Sequence, residues 1–458
     1  MISVSQIQEA FEQVLEKDAN RLAREIGFVK RERNLSGADF VQTLVFGWLE
    51  KGDGSLERLT QVAQEREVTI SAPGLSKRFS PQAAILLERI LGRLAQYRMR
   101  AEAVDIPLLR RFNAVVIEDS SSVTLPNVLV NVWQGCGGNR NTSKSAVKMH
   151  VRWDVLSGEL TGPALSDARV PDVRSPFKEM SLPAGSLYVA DLGYFDLAWL
   201  GQVAKRIDGE KRFFLIRLKG RVKLYWRTGK QIELHGLLPQ QVGQAVQYGV
   251  LVGARARLPA RLIIIRVPKE VAEQRQERLI EDAKKDSKQV TEEQLYLAHW
   301  VLLITNVPLK RMSISEAFIL VRLRWQIELL FKLWKTYGQV DEWQTKNPWR
   351  ILCEFYGKLI AMLLQHWLLL LGCWHDPHRS IVKAAEVIRH ASLRLMAALQ
   401  GEASFARVLH SIQRSMRSGC RLNTRKTHPS TSQLLLHGLD WSIGELVSLP
   451  MAEQAGET

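Results

Sequence analysis

The chain is poor in cysteine, in long apolar runs and in acidic charge, and each shortage removes a class of protein. Its four cysteines, Cys136, Cys353, Cys373 and Cys420, lie far apart and form no CxxC pair. That excludes a disulfide framework and a zinc ribbon and fits a reducing, cytoplasmic setting. Cys373, His375 and His378 gather around Pro377 but lack a fourth ligand, which argues against zinc. No signal peptide, lipid anchor or membrane span is recognisable. The longest apolar stretch, residues 359–371, contains Gln365 and His366 and falls short of the roughly 20 residues a bilayer crossing needs. It reads as a buried helix, so no membrane partner is expected. Internal repeats and low-complexity tracts are absent too.

Acidic residues number 47 against 63 Lys plus Arg, a formal net charge of +16. The pI is about 9.8, which points to a polyanionic partner. With 458 residues, 46% of them apolar, the chain exceeds what one core usually serves and predicts two to four domains.

Changes of pattern divide it. Residues 1–105 lack strand alternation and show helical apolar spacing at Ile7, Phe11, Val14 and Leu15, with a capping-box start at Ser36-Gly-Ala-Asp39. This zone is expected to be a helical DNA-binding domain. Lys30, Arg31 and Arg33 form one basic cluster, and residues 71–79 read as a turn into a short helix presenting Lys77 and Arg78. Such elements grip phosphates or read grooves, although a solvated basic helix face would look the same.

From 106 to 220, β-type runs at 113–118, 123–133, 147–156, 186–190 and 212–218 alternate late in the segment with helices near 173–180 and 194–206. Three strands, then helix, strand, helix, strand, is the order of the ribonuclease H-like fold. Residues 221–297 break that order with runs at 222–226, 249–252 and 261–267 and a charged helix at 269–288, and read as a β-rich insertion. The second part of the core follows at 298–370, with a strand at 299–305 and a long helix begun by the capping box Ser313-Ile-Ser-Glu316. The expected fold class is α/β: a ribonuclease H-like catalytic core interrupted by a β-rich insertion, with helical N- and C-terminal regions. Residues 371–458, helical over 384–415, form the last region, a candidate for dimerisation.

Two apolar runs end in carboxylates: Asp119 in Val115-Val-Ile-Glu-Asp-Ser-Ser121, and Asp191 in Leu187-Tyr-Val-Ala-Asp-Leu-Gly-Tyr194. A strand fixes the position of such a carboxylate while its charge must be solvated, paired or bound to metal. On the helix after Ser313, Arg324, Glu328 and Lys335 share a sector about 40° wide beside the apolar stripe Leu323, Ile327, Leu330 and Trp334. Alone, an Arg and Glu four apart is a surface pair worth about 0.2–0.5 kcal/mol. The three carboxylates together mean more. In a ribonuclease H-like sheet the first and fourth strands are neighbours, so Asp119, Asp191 and Glu328 would converge and suit two hard cations, Mg²⁺ or Mn²⁺, for in-line phosphoryl displacement. Ser120, Ser121 and Ser122 have no His or Lys motif to support a covalent mechanism.

These residues resemble the DDE transposases of bacterial insertion sequences, in the insertion-sequence-four group. The hallmark is Tyr-x2-Arg-x3-Glu-x6-Lys on the helix of the catalytic Glu, met here by Arg324-x3-Glu328-x6-Lys335, with Val321 in the Tyr place. Asp119-Ser-Ser121 is similar to the family's first Asp motif and Asp191-Leu-Gly-Tyr194 to its second. Phe214-Leu-Ile-Arg-Leu-Lys219, His150-Val-Arg-Trp-Asp-Val-Leu-Ser-Gly158 and residues 300–308 are family-like as well, and a β-rich insertion is a family feature.

The resemblance implies that Asp119, Asp191 and Glu328 hold two metal ions and that Arg324 and Lys335 bind phosphates beside the scissile bond, with Arg322 partly serving for the missing Tyr. Trp300 or Trp325 would stack on a flipped base, an interaction worth about 1–3 kcal/mol, unless each is ordinary core. The implied activity is cleavage of element ends and joining of the 3′-hydroxyl to target DNA by a homodimer on double-stranded DNA. A non-catalytic repressor of transposition or another ribonuclease H-like endonuclease would share most of these features.

Overall fold

The computed structural model describes residues 2–31, 35–137, 143–207, 209–285, 289–423, 429–437 and 442–448. The N-terminal zone is helical, as expected. Ser36 accepts a hydrogen bond from the Asp39 N–H while the Asp39 carboxylate accepts from the Ser36 N–H, so the expected capping box starts helix α1 (Gly37–Glu50). Ser80 caps α2 (Pro81–Leu94), where proline fits the first turn because no intrahelical partner awaits its missing N–H.

Among the described residues ten strands form one sheet in the order β3-β2-β1-β4-β5-β10-β9-β8-β6-β7. β1 (Val115–Leu125), β2 (Ser145–Asp154) and β3 (Leu160–Asp167) make an antiparallel meander. β4 (Leu187–Ala190) runs parallel to β1 on its other side, and β5 (Phe213–Arg217) runs parallel to β4. This is the expected ribonuclease H-like arrangement, with the first and fourth strands adjacent.

Its first three strands are not the three read from the sequence. Runs 113–118 and 123–133 are one strand as far as Leu125, because β2 pairs along it and carries the polar stretch Ser120 to Ser122 within the ladder. The remainder of the second run turns at Asn127–Leu129. The true third strand, β3, contains Gly162 and Pro163, which mark a turn when read locally. The helix expected at 173–180 is a pair of short 3-10 turns, Asp172–Arg174 and Pro176–Glu179. The one expected at 194–206 is the shorter α3 (Leu197–Val203), capped by the Asp196 carboxylate.

The inserted segment adds strands to the same sheet. β6 (Leu224–Tyr225), β7 (Gln231–Ile232), β8 (Ala245–Val252) and β9 (Leu258–Arg266) pair antiparallel with one another, followed by α4 (Lys269–Lys285). β10 (Trp300–Thr305) then lies between β5 and β9, antiparallel to both.

The single long helix expected from Ser313 is two. The capping box of Ser313 and Glu316 starts α5 (Ile314–Arg322), and Arg111 grips the Glu316 carboxylate with both terminal nitrogens, at 2.9 and 2.8 Å. The chain bends at Leu323, and α6 (Arg324–Lys332) continues into a π-helical turn at Leu333–Tyr337.

Strand alternation sends Val115, Ile117, Leu187 and Val189 into a core shared with α6 and the terminal helices, while Val116, Tyr188 and Ala190 face a second core with α3. The first core is centred on α7 (Pro348–Gly372), which extends well beyond the apolar stretch read from the sequence. By length and composition α7 could cross a membrane, yet nearly all of it is buried inside the protein against α1 and α2. Gly357 allows that approach: a β-carbon there would come 2.4 Å from the Trp48 ring of α1. Gly357→Val is expected to cost about 2 kcal/mol or more through overpacking, read as a lower thermal unfolding midpoint with Gly92→Val, which meets nothing within 4 Å, as the control for helix propensity.

Candidate active site

The pairing of β1 with β4 runs from Val115 opposite Leu187 to Glu118 opposite Ala190. Asp119 and Asp191 are the next residues on each strand and so stand side by side, their backbones about 4.8 Å apart by strand spacing. Glu118 points to the opposite face, where it is buried, ion-paired to Arg152 at 2.8 Å and within 3.4 Å of the donating Tyr188 hydroxyl. Alternation therefore separates a structural carboxylate from two available ones.

The available pair faces α6. Arg324, its first residue, places Nη1 3.5 Å from Asp119 Oδ2 and Nε 3.6 Å from Asp191 Oδ1. The same Nη1 donates to Glu328 Oε1 one turn on. One guanidinium thus joins all three expected carboxylates. Lys335, carried by the π-helical turn, donates from Nζ to the Ser122 carbonyl at 2.9 Å and ties that turn to β1.

The site opens in one direction. Side-chain exposure rises from 18% at Asp119 and 19% at Arg324 to 40% at Asp191 and 48% at Glu328, so an anion would arrive from the Glu328 side. Burial pushes the Asp119 carboxyl up to about 7; Arg324 and the Ser120 N–H at 2.8 Å oppose that rise, and the charges of Asp191 and Glu328 add to it. Burial works against the charge of Arg324, but Asp191, Glu328 and Asp119 together raise its pKa above the ordinary value.

Among the described residues no three His, Cys, Asp or Glu side chains stand close enough together to hold an ion as they are. Here the cation between the carboxylates is Arg324. Three carboxylates gathered on one positive group are the hard oxygen donors that divalent cations such as Mg²⁺ require. The donor set fits; ligation would require Arg324 to withdraw and the carboxylates to close in.

Residues 110–364 match the family described as Transposase DDE domain. That is more than half of the 458 residues and spans every element that brings Asp119, Asp191 and Glu328 together. The chain belongs to the DDE transposases. It is 28% identical over 364 residues to the transposase for insertion sequence element IS231F of Bacillus thuringiensis subsp. israelensis, with 75% of each chain covered. It is 26% identical over 375 residues to the IS1151 transposase of Clostridium perfringens, covering 76% of each. The IS421 transposase of Escherichia coli is 26% identical over 355 residues, 75% of this chain and 88% of that one. A solved piggyBac transposase synaptic complex with hairpin DNA aligns at a TM-score of 0.45 and 12% identity over 100% of this chain and 87% of that one, a likeness too loose to place any residue. This transposase is accordingly a DNA-cleaving and strand-joining enzyme of a family that uses divalent metal ions.

Other residues singled out in the sequence are distributed as follows. Arg322 and Trp325 are buried in the wall of a cleft of about 330 Å³ that also contains Asp191, Arg324 and Glu328. The Arg322 guanidinium lies 5.0 Å from the Trp325 ring centre, and Val321 is 8% exposed beside them. Trp300 is not placed to stack on a base. It is 2% exposed, its indole N–H donates to the Pro239 carbonyl at 2.9 Å, and Arg266 covers the ring at 4.9 Å. Far along the chain from these, Lys30, Arg31 and Arg78 line one surface cleft with Phe28, and Lys77 is exposed next to Arg78. Arg33 lies outside the described residues.

The sequence reading missed Arg217, Arg275 and Arg278, which line the cleft from β5 and α4. Arg217 carried the same signal as the aspartates, a charge at the end of an apolar strand. It also missed Asp172, whose Oδ1 accepts from Ser120 Oγ at 2.8 Å and Lys148 Nζ at 3.0 Å and so supports β1 next to Asp119.

The raised Asp119 pKa has a sign that can be checked. The folded chain holds this proton up to about pH 7 whereas the unfolded chain releases it near the ordinary value of 3.8, so stability is full below about pH 4 and is lost as pH climbs to about 7. Asp119→Asn is expected to raise the unfolding midpoint at pH 8 and to leave it unchanged at pH 4. Divalent-cation affinity of the natural protein is expected to rise over the same interval, because ligation needs the carboxylate; titration calorimetry at pH 6 and pH 8 checks it.

Proposed function

We propose that this transposase binds the terminal inverted repeats of an insertion sequence, cuts at the element ends and joins the freed 3′-hydroxyl to target DNA, with Asp119, Asp191 and Glu328 as its catalytic carboxylates. The observation that carries the proposal is the convergence of all three on Arg324, produced by the parallel β1–β4 pairing and the first turn of α6.

Those carboxylates would hold two Mg²⁺ or Mn²⁺ ions, which when bound activate the attacking oxygen and stabilise the leaving one. The protein's own part is positioning. Asp119 and Asp191 are fixed by the sheet, whereas Glu328 sits exposed on a helix and can adjust as DNA enters. Arg324, drawn away from the carboxylates by a phosphate, exchanges three weak ion contacts for a charge-assisted bidentate one. Arg322, stacked on Trp325, lines the same cleft and would hold a neighbouring phosphate, as would Lys335 at the Ser122 carbonyl on the turn after α6. Lys30, Arg31, Lys77 and Arg78 would grip the duplex away from the reacting bond, and Trp325 rather than Trp300 is the aromatic beside the reacting strand. Two ends require two active sites, so the working form is a homodimer on DNA, acting where that DNA lies, in the bacterial cytoplasm.

The test is cleavage of a labelled duplex carrying the repeats that flank this gene, with Mn²⁺. Glu328→Gln is expected to abolish cleavage and strand joining while leaving duplex affinity within about twofold, since it removes a ligand and no phosphate contact. Binding without cleavage by either protein would replace this reading with an inactive DNA-binding repressor, the reading that Val321 in the Tyr place favours.

A further inference from the structure

Helix α4 belongs to the inserted segment, yet it forms part of the wall of the active-site cleft. Arg275 and Arg278 stand three residues apart on it, hence on one face, and both line the cleft that contains Asp191 and Glu328. Arg217, the last residue of β5, lines it from the sheet side. Arg275 is anchored: its Nη1 donates to the backbone carbonyl of Trp300 at 2.9 Å. The buried indole of Trp300, held by the Pro239 carbonyl, thereby fixes the direction in which Arg275 points.

Cations outnumber carboxylates in this corner: five arginines line the cleft against Asp191, Glu328 and Asp282. Asp119, Asp191 and Glu328 are engaged by Arg324, and among the described residues Arg217, Arg275 and Arg278 form no ion pair. Burial first, and then the neighbouring charge of Arg217, lower the pKa of Arg275 to about 9. Arg217 is itself lowered, by burial first, with Asp191 opposing and Arg324 adding. Two part-buried arginines and an exposed one that outnumber the carboxylates of a shared cleft leave it able to take up an anion.

We infer that Arg275 and Arg278 of α4, together with Arg217, grip a backbone phosphate of the DNA strand that passes Asp191, which makes the inserted segment part of the DNA clamp. The anion is a phosphodiester, because Arg forks match phosphate oxygens in pairs and the trio borders the carboxylates that act on that strand. The inference rests on the reading of those carboxylates as the cleavage site, but its test involves binding alone.

The experiment uses the full chain without divalent metal and a duplex of the element end in which single phosphates around the cleavage position are replaced, one at a time, by uncharged methylphosphonates. In the natural protein one or two replacements are expected to weaken binding by about tenfold, the loss of one charge-assisted contact. Arg275→Ala is expected to weaken binding of the unmodified duplex by a similar factor and to erase the penalty at those positions while leaving penalties elsewhere in place. Arg278→Ala, at an exposed position that cannot unfold the protein, is expected to act the same way and keeps the test decisive if Arg275→Ala is unstable. Identical penalty profiles in the natural protein and Arg278→Ala would overturn the proposal. So would competition by inorganic phosphate at constant ionic strength that Arg275 governs without any position-specific penalty, which would make this a free-anion site. A failure of cleavage in the Glu328→Gln comparison would leave these binding profiles unaffected, so the two readings fail separately.

Discussion

Two carboxylates on adjacent parallel strands repel each other, and the site is organised around the cation that must stand between them. The sheet brings Asp119 and Asp191 to the same level because β1 and β4 pair in parallel up to the residue before each. Backbone hydrogen bonds enforce that placement, so the repulsion cannot be relieved by moving apart. Arg324 relieves it instead and draws Glu328 into the same group. A guanidinium is a temporary occupant of such a place, since it carries one charge where the three carboxylates invite more. The same geometry keeps the three carboxylates grouped about one guanidinium in the free protein.

Rigid and adjustable parts are divided by secondary structure. Asp119 lies within β1 and Asp191 directly follows β4, strands whose apolar residues are locked into two cores, one on each face. Glu328 and Lys335 sit on α6 and the π-helical turn that follows, after a bend at Leu323. The base of α5 is held by its capping box and by Arg111, and the break at Leu323 separates that anchored start from the helix that carries Glu328.

What could be read in the sequence was local. Ser313 with Glu316 marks a helix start and Asp191 follows the apolar run that becomes β4, and both appear in the structure; Asp119, read as the end of a strand, lies inside β1, which its pairing with β2 extends to Leu125. The spacing of Arg324, Glu328 and Lys335 placed a candidate helix, although neither proline nor glycine signals its break at Leu323. What was missed depends on partners distant in sequence. Ser120 to Ser122 look like a gap between strands until β2 pairs with them, and Gly162 with Pro163 looks like a turn until β3 finds its place at the sheet edge. Trp300 carries no mark distinguishing a buried indole from an exposed one, and the meeting of Arg217 with Arg275 follows only once the inserted strands are seen to continue the core sheet.

That continuity has a consequence for how the element decays. β10 lies between β5 and β9, and the helix bearing Glu328 follows it, so the sheet is completed from both sides of the inserted segment. A degenerating copy that has lost its 3′ end beyond the insertion would encode a chain with β5 unpaired along one edge and its apolar face uncovered. Such a chain exposes a sticky strand rather than a weaker nuclease, and it is a substrate for proteolysis instead of a partly active enzyme. The strand that closes the sheet and the helix that carries Glu328 thus belong to one short stretch of chain, and a truncation before it removes both.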